Sequence, residues 1–537
     1  MGKFSRDEFI IDRKNSFINS ARLIAALTVV SRILGLIRDS LCAAYFGTAV
    51  LHYFYMGWAI PNLFRRLFGE GALSAALIPV YTEQRRQDNK KAQLLARAVV
   101  TLLTIILAFL TLLGLSCIYL GRHFGSFQGK TELVLILTAI MLPYMIFICL
   151  VATVGGLLNV HRHFSAPAAA PIVLNICMIA AVLWFRRYFG DTVWDQIYAV
   201  AVSVLVAGFL QLLMQYPALR KAGIDLRPCF SFHQPGIRKI IHLMTPMLVG
   251  LAAVQINTYI DWLIAYFLSA TPETGDSFIL WNHTFSYPVK EGSVTVLNYA
   301  QRLYHFPLGV FGVALATAIF PLLSRHAADR DIRAFSDTLT QGLRMVIFIG
   351  LPASVGMIIL RNPLVQIIFQ RKAFTATDTQ DVAWTLLFYA SGISVYCLQQ
   401  LIVRAFYSFQ DSITPVKIAV RMVALNFILN LILIWFLRTG GLALATALCA
   451  SIQVVLLTRI LIQRYHLQIK GRILSTLMKT AIATGIMALG GYFSLSKVQN
   501  CSLIVQLAVA TVVCLFLFLA ASVLLKNKEL NVLLRRH

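Results

Sequence analysis

The chain has 537 residues, 58% of them hydrophobic and only 13% charged, with a mean hydropathy of +0.75. A soluble globular protein carries about 25% charged residues, so this composition cannot clothe the three or four soluble domains that the length would allow, and the bilayer must be the solvent for most of the chain. Lys and Arg number 47 against 22 Asp and Glu, a formal net charge of +25, which fits either a phosphate-rich partner such as nucleic acid or the basic cytoplasmic loops of a membrane protein.

About 20 consecutive apolar residues are needed to cross hydrocarbon as a helix. Fourteen segments qualify, some of them interrupted: 20–46, 53–80, 96–120, 132–157, 166–186, 196–216, 238–268, 295–323, 343–369, 382–405, 414–437, 441–463, 473–496 and 502–525. The first is too long and too charged for a signal peptide and lacks a small-residue cleavage site. The pattern predicts an all-α polytopic membrane protein with 14 transmembrane helices and both termini on one side. With basic residues toward the span ends counted in the adjoining connection, the tails and connections of that side hold 32 Lys/Arg, the opposite connections 9 and the spans 6. This bias predicts cytoplasmic termini and accounts for most of the net charge without nucleic acid. The longest outer connection, about 269–294, bears Pro, Gly and Trp and is nearly neutral.

The chain repeats itself. Gly-Ala-Leu-Ser-Ala-Ala-Leu-Ile-Pro closes span 2 at 71–79 and Gly-Val-Ala-Leu-Ala-Thr-Ala-Ile-Phe-Pro closes span 8 at 312–321, placing Pro79 and Pro321 242 residues apart. Pro171 and Pro415 are 244 apart. Spans 1–6 and 7–12 read as parallel copies, a repeat type seen in transporters. The expected organisation is a cytoplasmic tail (1–19), an N-lobe (20–216), a cytoplasmic linker (217–237), a C-lobe (238–463), spans 13–14 (464–525) and a cytoplasmic tail (526–537).

By that count six arginines fall inside the spans: Arg32, Arg38, Arg65, Arg66, Arg302 and Arg361. Each costs about 2.5–3.5 kcal/mol at mid-bilayer on insertion scales, so such residues usually line a polar cavity. At 100° per residue, Thr28, Ser31, Arg32, Gly35, Arg38, Asp39 and Cys42 share about 120° of span 1. Asn62, Arg65, Arg66, Gly69 and Glu70 share about 140° of span 2, and Asn298, Gln301, Arg302, His305 and Gly309 about 100° of span 8. Internal pairing would match Arg32 with Asp39 and Arg66 with Glu70. It leaves about three buried positive charges over, an excess that calls for an anion. Planar guanidinium forks take phosphate oxygens in pairs, so clustered arginines suit a pyrophosphate. Arg361, just before Asn362-Pro363, is expected to snorkel to the outer interface.

A second polar set comprises Asp261 in span 7, Asn426 and Asn430 one turn apart in span 11, and Thr446 in span 12. One carboxylate with amide and hydroxyl oxygens suits a hard monovalent cation such as Na⁺. Interhelical hydrogen bonding accounts for the same residues equally. The sequence holds no G-x-x-x-x-G-K-[ST], H-E-x-x-H or G-x-S-x-G, so ATP hydrolysis and serine or zinc hydrolysis find no motif, and no catalytic residue is expected. The nine Cys form no C-x-x-C pair and read as apolar filler. His52 and His305 stand apart from the loop histidines and read as satisfied polar groups that could titrate near neutral pH.

Ser31-Arg-Ile-Leu-Gly-Leu-Ile-Arg-Asp39, Ile60-Pro-Asn-Leu-Phe-Arg-Arg-Leu-Phe-Gly-Glu-Gly-Ala72 and Ile78-Pro-Val-Tyr resemble the N-terminal signature of the MurJ (MviN) lipid II flippases of the multidrug/oligosaccharidyl-lipid/polysaccharide exporter superfamily. Leu158-Asn, Phe164-Ser-Ala-Pro, Pro171-Ile-Val-Leu-Asn175, Tyr299-Ala-Gln-Arg-Leu-Tyr-His-Phe-Pro-Leu-Gly-Val-Phe-Gly-Val-Ala-Leu-Ala-Thr317, Ala405-Phe-Tyr-Ser, Thr414-Pro-Val-Lys-Ile-Ala419 and Gly441-Leu-Ala-Leu-Ala-Thr446 extend the likeness along nearly the whole chain.

The resemblance implies a monomeric flippase of the bacterial cytoplasmic (inner) membrane. It would move lipid II, the undecaprenyl-pyrophosphate-linked peptidoglycan precursor, from the inner to the outer leaflet by alternating access for cell wall synthases to use. The family's cavity arginines map onto Arg32, Arg38, Arg65 and Arg302, with acidic partners at Asp39 and Glu70. The family's sodium site falls on Asp261, Asn426, Asn430 and Thr446, making Na⁺ a coupling ion rather than a bound cofactor, and spans 13–14 would form a groove for the lipid tail. The chain departs from the family pattern at His52, where an acid is common, and at Gln301 and His305, where acids can flank the arginine. The cavity position of span 10 falls at Gln400, and Asn430 stands where Asp can occur. Fewer acids leave the arginines less neutralised. Within transport the alternatives are a flippase for another polyprenyl-pyrophosphate glycan and a multidrug/cation antiporter, the latter disfavoured by the positive excess.

Overall fold

A computed structural model describes residues 6–69, 72–125, 129–280, 282–468 and 472–534. Helix α1 (Arg6–Phe64) runs 59 residues, bent at Gly47, whose φ of 64° lies in the left-handed region open to glycine. A π-helical turn (Arg65–Gly69) separates it from α2 (Ala72–Gln87). There follow α3 (Asn89–Phe124), α4 (Lys130–Met141), α5 (Tyr144–Val160), α6 (Ser165–Ala180), α7 (Val193–Lys221) and α8 (Pro235–Phe267). After α9 (Ser293–Pro307), a second π-helical stretch (Leu308–Val313) leads into α10 (Ala314–Ala328). Then come α11 (Ile332–Phe369), α12 (Ala376–Ser391), α13 (Ile393–Ser408), α14 (Ile413–Leu437), α15 (Thr439–Tyr465), α16 (Arg472–Lys497), α17 (Leu503–Leu524) and the short α18 (Lys528–Leu534).

Among the described residues, ten helical stretches are long and apolar enough to cross a membrane, or eleven if α12 and α13, bent by 43°, form one span. Large apolar side chains such as Phe109, Leu112, Phe427, Ile428, Leu489 and Phe516 are exposed along these helices. Only lipid can cover them, and only helices that satisfy their own backbone can carry them through it. The protein is therefore a helical membrane protein.

Four differences from the sequence expectations have local causes. Residues 6–19, expected as a tail, already belong to α1, and the expected tail 526–537 contains α18. Span 2 is broken by the π turn at Arg65–Gly69, so even spacing at 100° per residue does not hold across its stripe. The connection 269–294 holds short strands: β1 (Ser269–Ala270) pairs parallel with β4 (Val289–Lys290), and β2 (Ser277–Leu280) pairs antiparallel with β3 (His283–Ser286). The β2–β3 hairpin packs Phe278 and Phe285 on Trp435 at the end of α14, with ring centroids 6.3 and 6.2 Å away.

The chain divides into two compact units, Met1–Gln255 and Ile256–His537. The division falls inside α8, not in the expected linker 217–237. The start of α8 belongs to the first unit because Lys239 Nζ reaches Glu83 Oε2 at 2.7 Å and Gly236 packs against Gln84 and Leu95 of α2 and α3. The two π-helical stretches begin 243 residues apart, each just before a repeated proline motif, matching the sequence repeat.

Candidate substrate and ion sites

In the first unit, the stripe on α1 runs from exposure into the interior: Thr28 and Arg32 are exposed, whereas Gly35, Asp39 and Cys42 are buried. Arg38 Nε and Nη2 both donate to Asp39 Oδ1, at 3.0 and 2.7 Å. Asp39 thus takes Arg38 as its partner, not Arg32. Arg38 Nη1 also donates to Asn175 Oδ1 at 3.0 Å, and Asn175 Nδ2 donates to the Ser31 carbonyl at 2.9 Å. Asn175 lies against Gly35, where an added Cβ would sit 3.7 Å from its amide nitrogen. Arg38, Asp39, Asn175 and the Ser31 backbone therefore form one knot between α1 and α6. Asn175 closes the motif Pro171-Ile-Val-Leu-Asn175, but no helical spacing links α6 to α1, so the sequence does not mark it as a site residue. Arg32 is exposed and makes no polar contact among the described residues.

Asn62 is buried and its Oδ1 accepts from Arg65 Nε at 3.0 Å. Arg66 Nη1 donates to Gln255 Oε1 at 2.8 Å. Glu70, its expected partner, lies outside the described residues. His52 is fully buried, with its ring edge-on to Tyr53 at 5.0 Å.

In the second unit the expected stripe on α9 splits. Arg302 and His305 are exposed and Asn298 is half-buried. Gln301, placed beside them by spacing, instead turns inward, 9% exposed, where its Nε2 donates to the Tyr389 hydroxyl at 3.0 Å. Burial decides the direction, since Tyr304, Tyr389 and Tyr396 pack there with centroids about 5 Å apart. Gln400 is half-buried without a polar partner among the described residues. Arg361 Nη1 donates to the Ile358 carbonyl at 2.6 Å.

The polar set of α8, α14 and α15 does come together. Asp261, Asn426 and Asn430 are at most 1% exposed. Asn430 Nδ2 donates to Asp261 Oδ1 at 2.6 Å and Thr446 Oγ1 reaches Asp261 Oδ2 at 3.4 Å. Turned to satisfy its neighbours, the Asn426 amide donates to Asp261 Oδ1 and Asn257 Oδ1 and accepts from the Thr446 backbone. Asn257 extends the set by one oxygen, one helical turn before Asp261. The Asn430 Oδ1 is buried without a hydrogen-bond partner. An orphaned amide oxygen beside a buried carboxylate fits a hard cation, which would recruit Asp261, Asn430, Asn257 and Thr446 oxygens. No group of three or more His, Cys, Asp or Glu suited to a transition metal occurs among the described residues. None of the nine cysteines is in a disulfide, and five of them are buried.

Long lipid-facing helices in two units, with arginines and a buried oxygen cluster set into them, define a polytopic helical membrane transporter. A family profile described as "Lipid II flippase MurJ" matches residues 42–513. "Probable lipid II flippase MurJ" of Vibrio cholerae serotype O1 is 35% identical over 466 residues, covering 84% of each chain. "Lipid II flippase MurJ" of Burkholderia cenocepacia is 32% identical and covers 81% of each. Among solved structures, one titled "Lipid II flippase MurJ, inward closed conformation" superimposes with a TM-score of 0.71 at 23% identity, covering 94% of this chain and 99% of that one. An inward-facing multidrug resistance MATE family transporter of the MOP superfamily gives 0.64 at 13% identity, covering 83% and 98%. These two likenesses establish the fold. The chain belongs to the lipid II flippase MurJ family. It is a transporter and not an enzyme, and a multi-pass protein of the bacterial inner membrane.

Proposed function

We propose that the protein translocates lipid II from the inner to the outer leaflet of the cytoplasmic membrane by alternating access, delivering precursor for cell wall synthesis. Family membership supports the substrate, and one observation in the first unit supports the chemistry. Ion pairing consumes Arg38, while Arg32 on the same helix stays exposed with no polar contact among the described residues. An uncompensated guanidinium within an apolar helix is stabilised by an anion. Within the first unit Arg32 and Arg65 would take phosphate oxygens, with Asn62 orienting Arg65 through its 3.0 Å hydrogen bond; within the second unit the residue assigned to phosphate is Arg302.

The same reading has fourteen spans with cytoplasmic termini, supported by the basic bias of alternate connections. It has α16 and α17 carrying the lipid tail along their exposed apolar faces. Na⁺ at Asp261 would couple to transport, supported by the orphaned Asn430 oxygen. The protein would act as a monomer, with cell wall synthases consuming its product.

The test is lipid II translocation in proteoliposomes, paired with rescue of cells depleted of their own flippase. Arg32→Ala, Arg65→Ala and Arg302→Ala should each abolish both while the protein remains inserted, and lysine at these positions should restore part of the activity. Full activity in all three alanine variants, or equal transport of a different polyprenyl-pyrophosphate glycan, would overturn the reading.

A further inference from the structure

Within the second unit, Arg302 lies on α9 shortly before the π-helical stretch Leu308–Val313. A π turn closes i→i+5 hydrogen bonds and so holds one residue more than an α turn. At 100° per residue, gaining or losing that residue turns α9 by about 100° relative to α10. The two helices rest on different neighbours. On α9, Gln301 Nε2 donates to the Tyr389 hydroxyl of α12 at 3.0 Å and the Tyr304 ring stacks on Tyr389 with centroids 4.9 Å apart. On α10, Ile319 lies against Gly342 of α11. The π stretch takes up the difference in phase between these two packings.

A side chain of α13 holds the end of that stretch. Arg404 Nη1 donates to the Val313 carbonyl at 3.1 Å and to Thr317 Oγ1 at 2.6 Å, and the Thr317 hydroxyl donates to the same Val313 carbonyl at 2.6 Å. Val313 is the last residue of the stretch, so the carbonyl at which the widened turn gives way to α10 receives a charge-assisted hydrogen bond as well as a hydroxyl. Two turns before Arg404 on α13, Cys397 lies against the same stretch: a Cβ added at Gly312 would come within 2.7 Å of its Sγ. Turns of π geometry are rare, recur at functional sites and persist where the surrounding structure over-determines them. Here the determining contacts come from one face of α13.

We propose that Arg404 is a positioning residue for substrate binding: its clamp on the π stretch fixes the rotational setting of α9, and thereby the direction in which Arg302 is presented. The inference rests on the proposed role of Arg302 in taking phosphate. Arg404 acts through Arg302 and does not itself touch the substrate. Without its two hydrogen bonds the π turn is free to relax toward α geometry, and Arg302, turned with α9 by up to about 100°, loses the phosphate. Thr317 shares the task because its hydroxyl bridges the guanidinium and the carbonyl. Removing that hydroxyl loosens the clamp while the Arg404 charge stays in place, which separates positioning from direct contact with an anion.

The test combines hydrogen exchange, read by mass spectrometry on the full-length protein in detergent, with the affinity of the same preparations for lipid II. In Arg404→Met and in Thr317→Val the amides of 308–317 should exchange about tenfold faster than in the native protein, the scale of one lost charge-assisted hydrogen bond, and Arg404→Lys should restore most of the protection. Both variants should bind lipid II about tenfold more weakly, and neither should weaken it further when Arg302→Ala is already present, because a residue that acts through Arg302 has nothing left to position. Native exchange rates in both variants overturn the clamp. Weaker binding by Arg404→Met that adds to the Arg302→Ala loss, with Thr317→Val binding as the native protein does, makes Arg404 a direct contact and overturns positioning. Native affinity in Arg302→Ala alone overturns the phosphate reading itself, and the exchange rates, which do not depend on lipid II, tell that failure from failure of the clamp.

Discussion

Arg38 and Asp39 are neighbours in sequence and also partners in space: two guanidinium nitrogens converge on one carboxylate oxygen at 3.0 and 2.7 Å, with Asp39 1% exposed. Adjacent residues on a straight helix point about 100° apart, so the contact requires the long Arg38 side chain to fold back, and Asn175 holds it there. Removing one member of a buried pair leaves an uncompensated charge, at about 3–5 kcal/mol. Asp39→Asn and Asn175→Ala are therefore expected to lower the thermal midpoint of the purified protein, whereas Arg32→Ala, with no polar contact among the described residues to lose, leaves it unchanged. Equal effects of Arg32→Ala and Asp39→Asn on melting would contradict this division between scaffold and site.

The oxygen cluster makes a separate prediction. A cation that binds only the folded state raises its stability with concentration. Sodium, compared with potassium at equal ionic strength, should raise the melting temperature of the native protein and leave that of Asp261→Ala unmoved. Asn430→Asp adds a second carboxylate and should move the response to lower sodium concentrations. If native protein and Asp261→Ala respond alike, the cluster is an interhelical hydrogen-bond network and nothing more.

Two glycines separate packing from propensity. At Gly441 an added Cβ would collide with the Leu433 carbonyl oxygen, a backbone atom that cannot move aside in the tight turn from α14 to α15. Gly441→Ala should cost about 3 kcal/mol or more, read as a lowered melting temperature. At Gly485 on α16 the same Cβ meets nothing within 4 Å, so Gly485→Ala should be neutral or gain a few tenths of a kcal/mol in helix propensity.

The connection after α5 predicts a pH response. His161 accepts from or donates to the Tyr81 hydroxyl at 2.9 Å. Partial burial, followed by the Arg85 and His163 charges, holds its pKa below the usual imidazole value. A depressed base is neutral in the folded state while the unfolded chain takes up a proton near pH 6.5. Stability is therefore complete above that value and falls as pH drops below it. His161→Gln should flatten the fall in melting temperature between pH 7 and 5; a curve identical to that of the native protein would exclude the group.

Helical spacing and tertiary packing disagree at several residues of the candidate sites. Burial of Gln301 against Tyr389 and the pairing of Asp39 with Arg38 both overrode helical spacing, because spacing gives the face of a helix but not what lies against it. The π turn at Arg65–Gly69 shifted the stripe of span 2, and nothing in the residue pattern marks where a helix widens. Asn175 and Asn257 were missed for the same reason: each meets its partners across helices far apart in sequence or by a turn of a neighbouring helix. By contrast Asp261, Asn426, Asn430 and Thr446, chosen on three separate spans, do meet.

Composition and periodicity by themselves determined that this chain lives in lipid and that it is helical, because a bilayer admits only long apolar elements that satisfy their own backbone. The same residues carry the family signature. Which arginine is neutralised and which stays exposed without a polar contact among the described residues was decided only by tertiary structure. Charge compensation acts over about 3 Å between side chains, and that proximity is made by packing α1 against α6, or α8 against α14 and α15, at sequence distances that no local pattern spans.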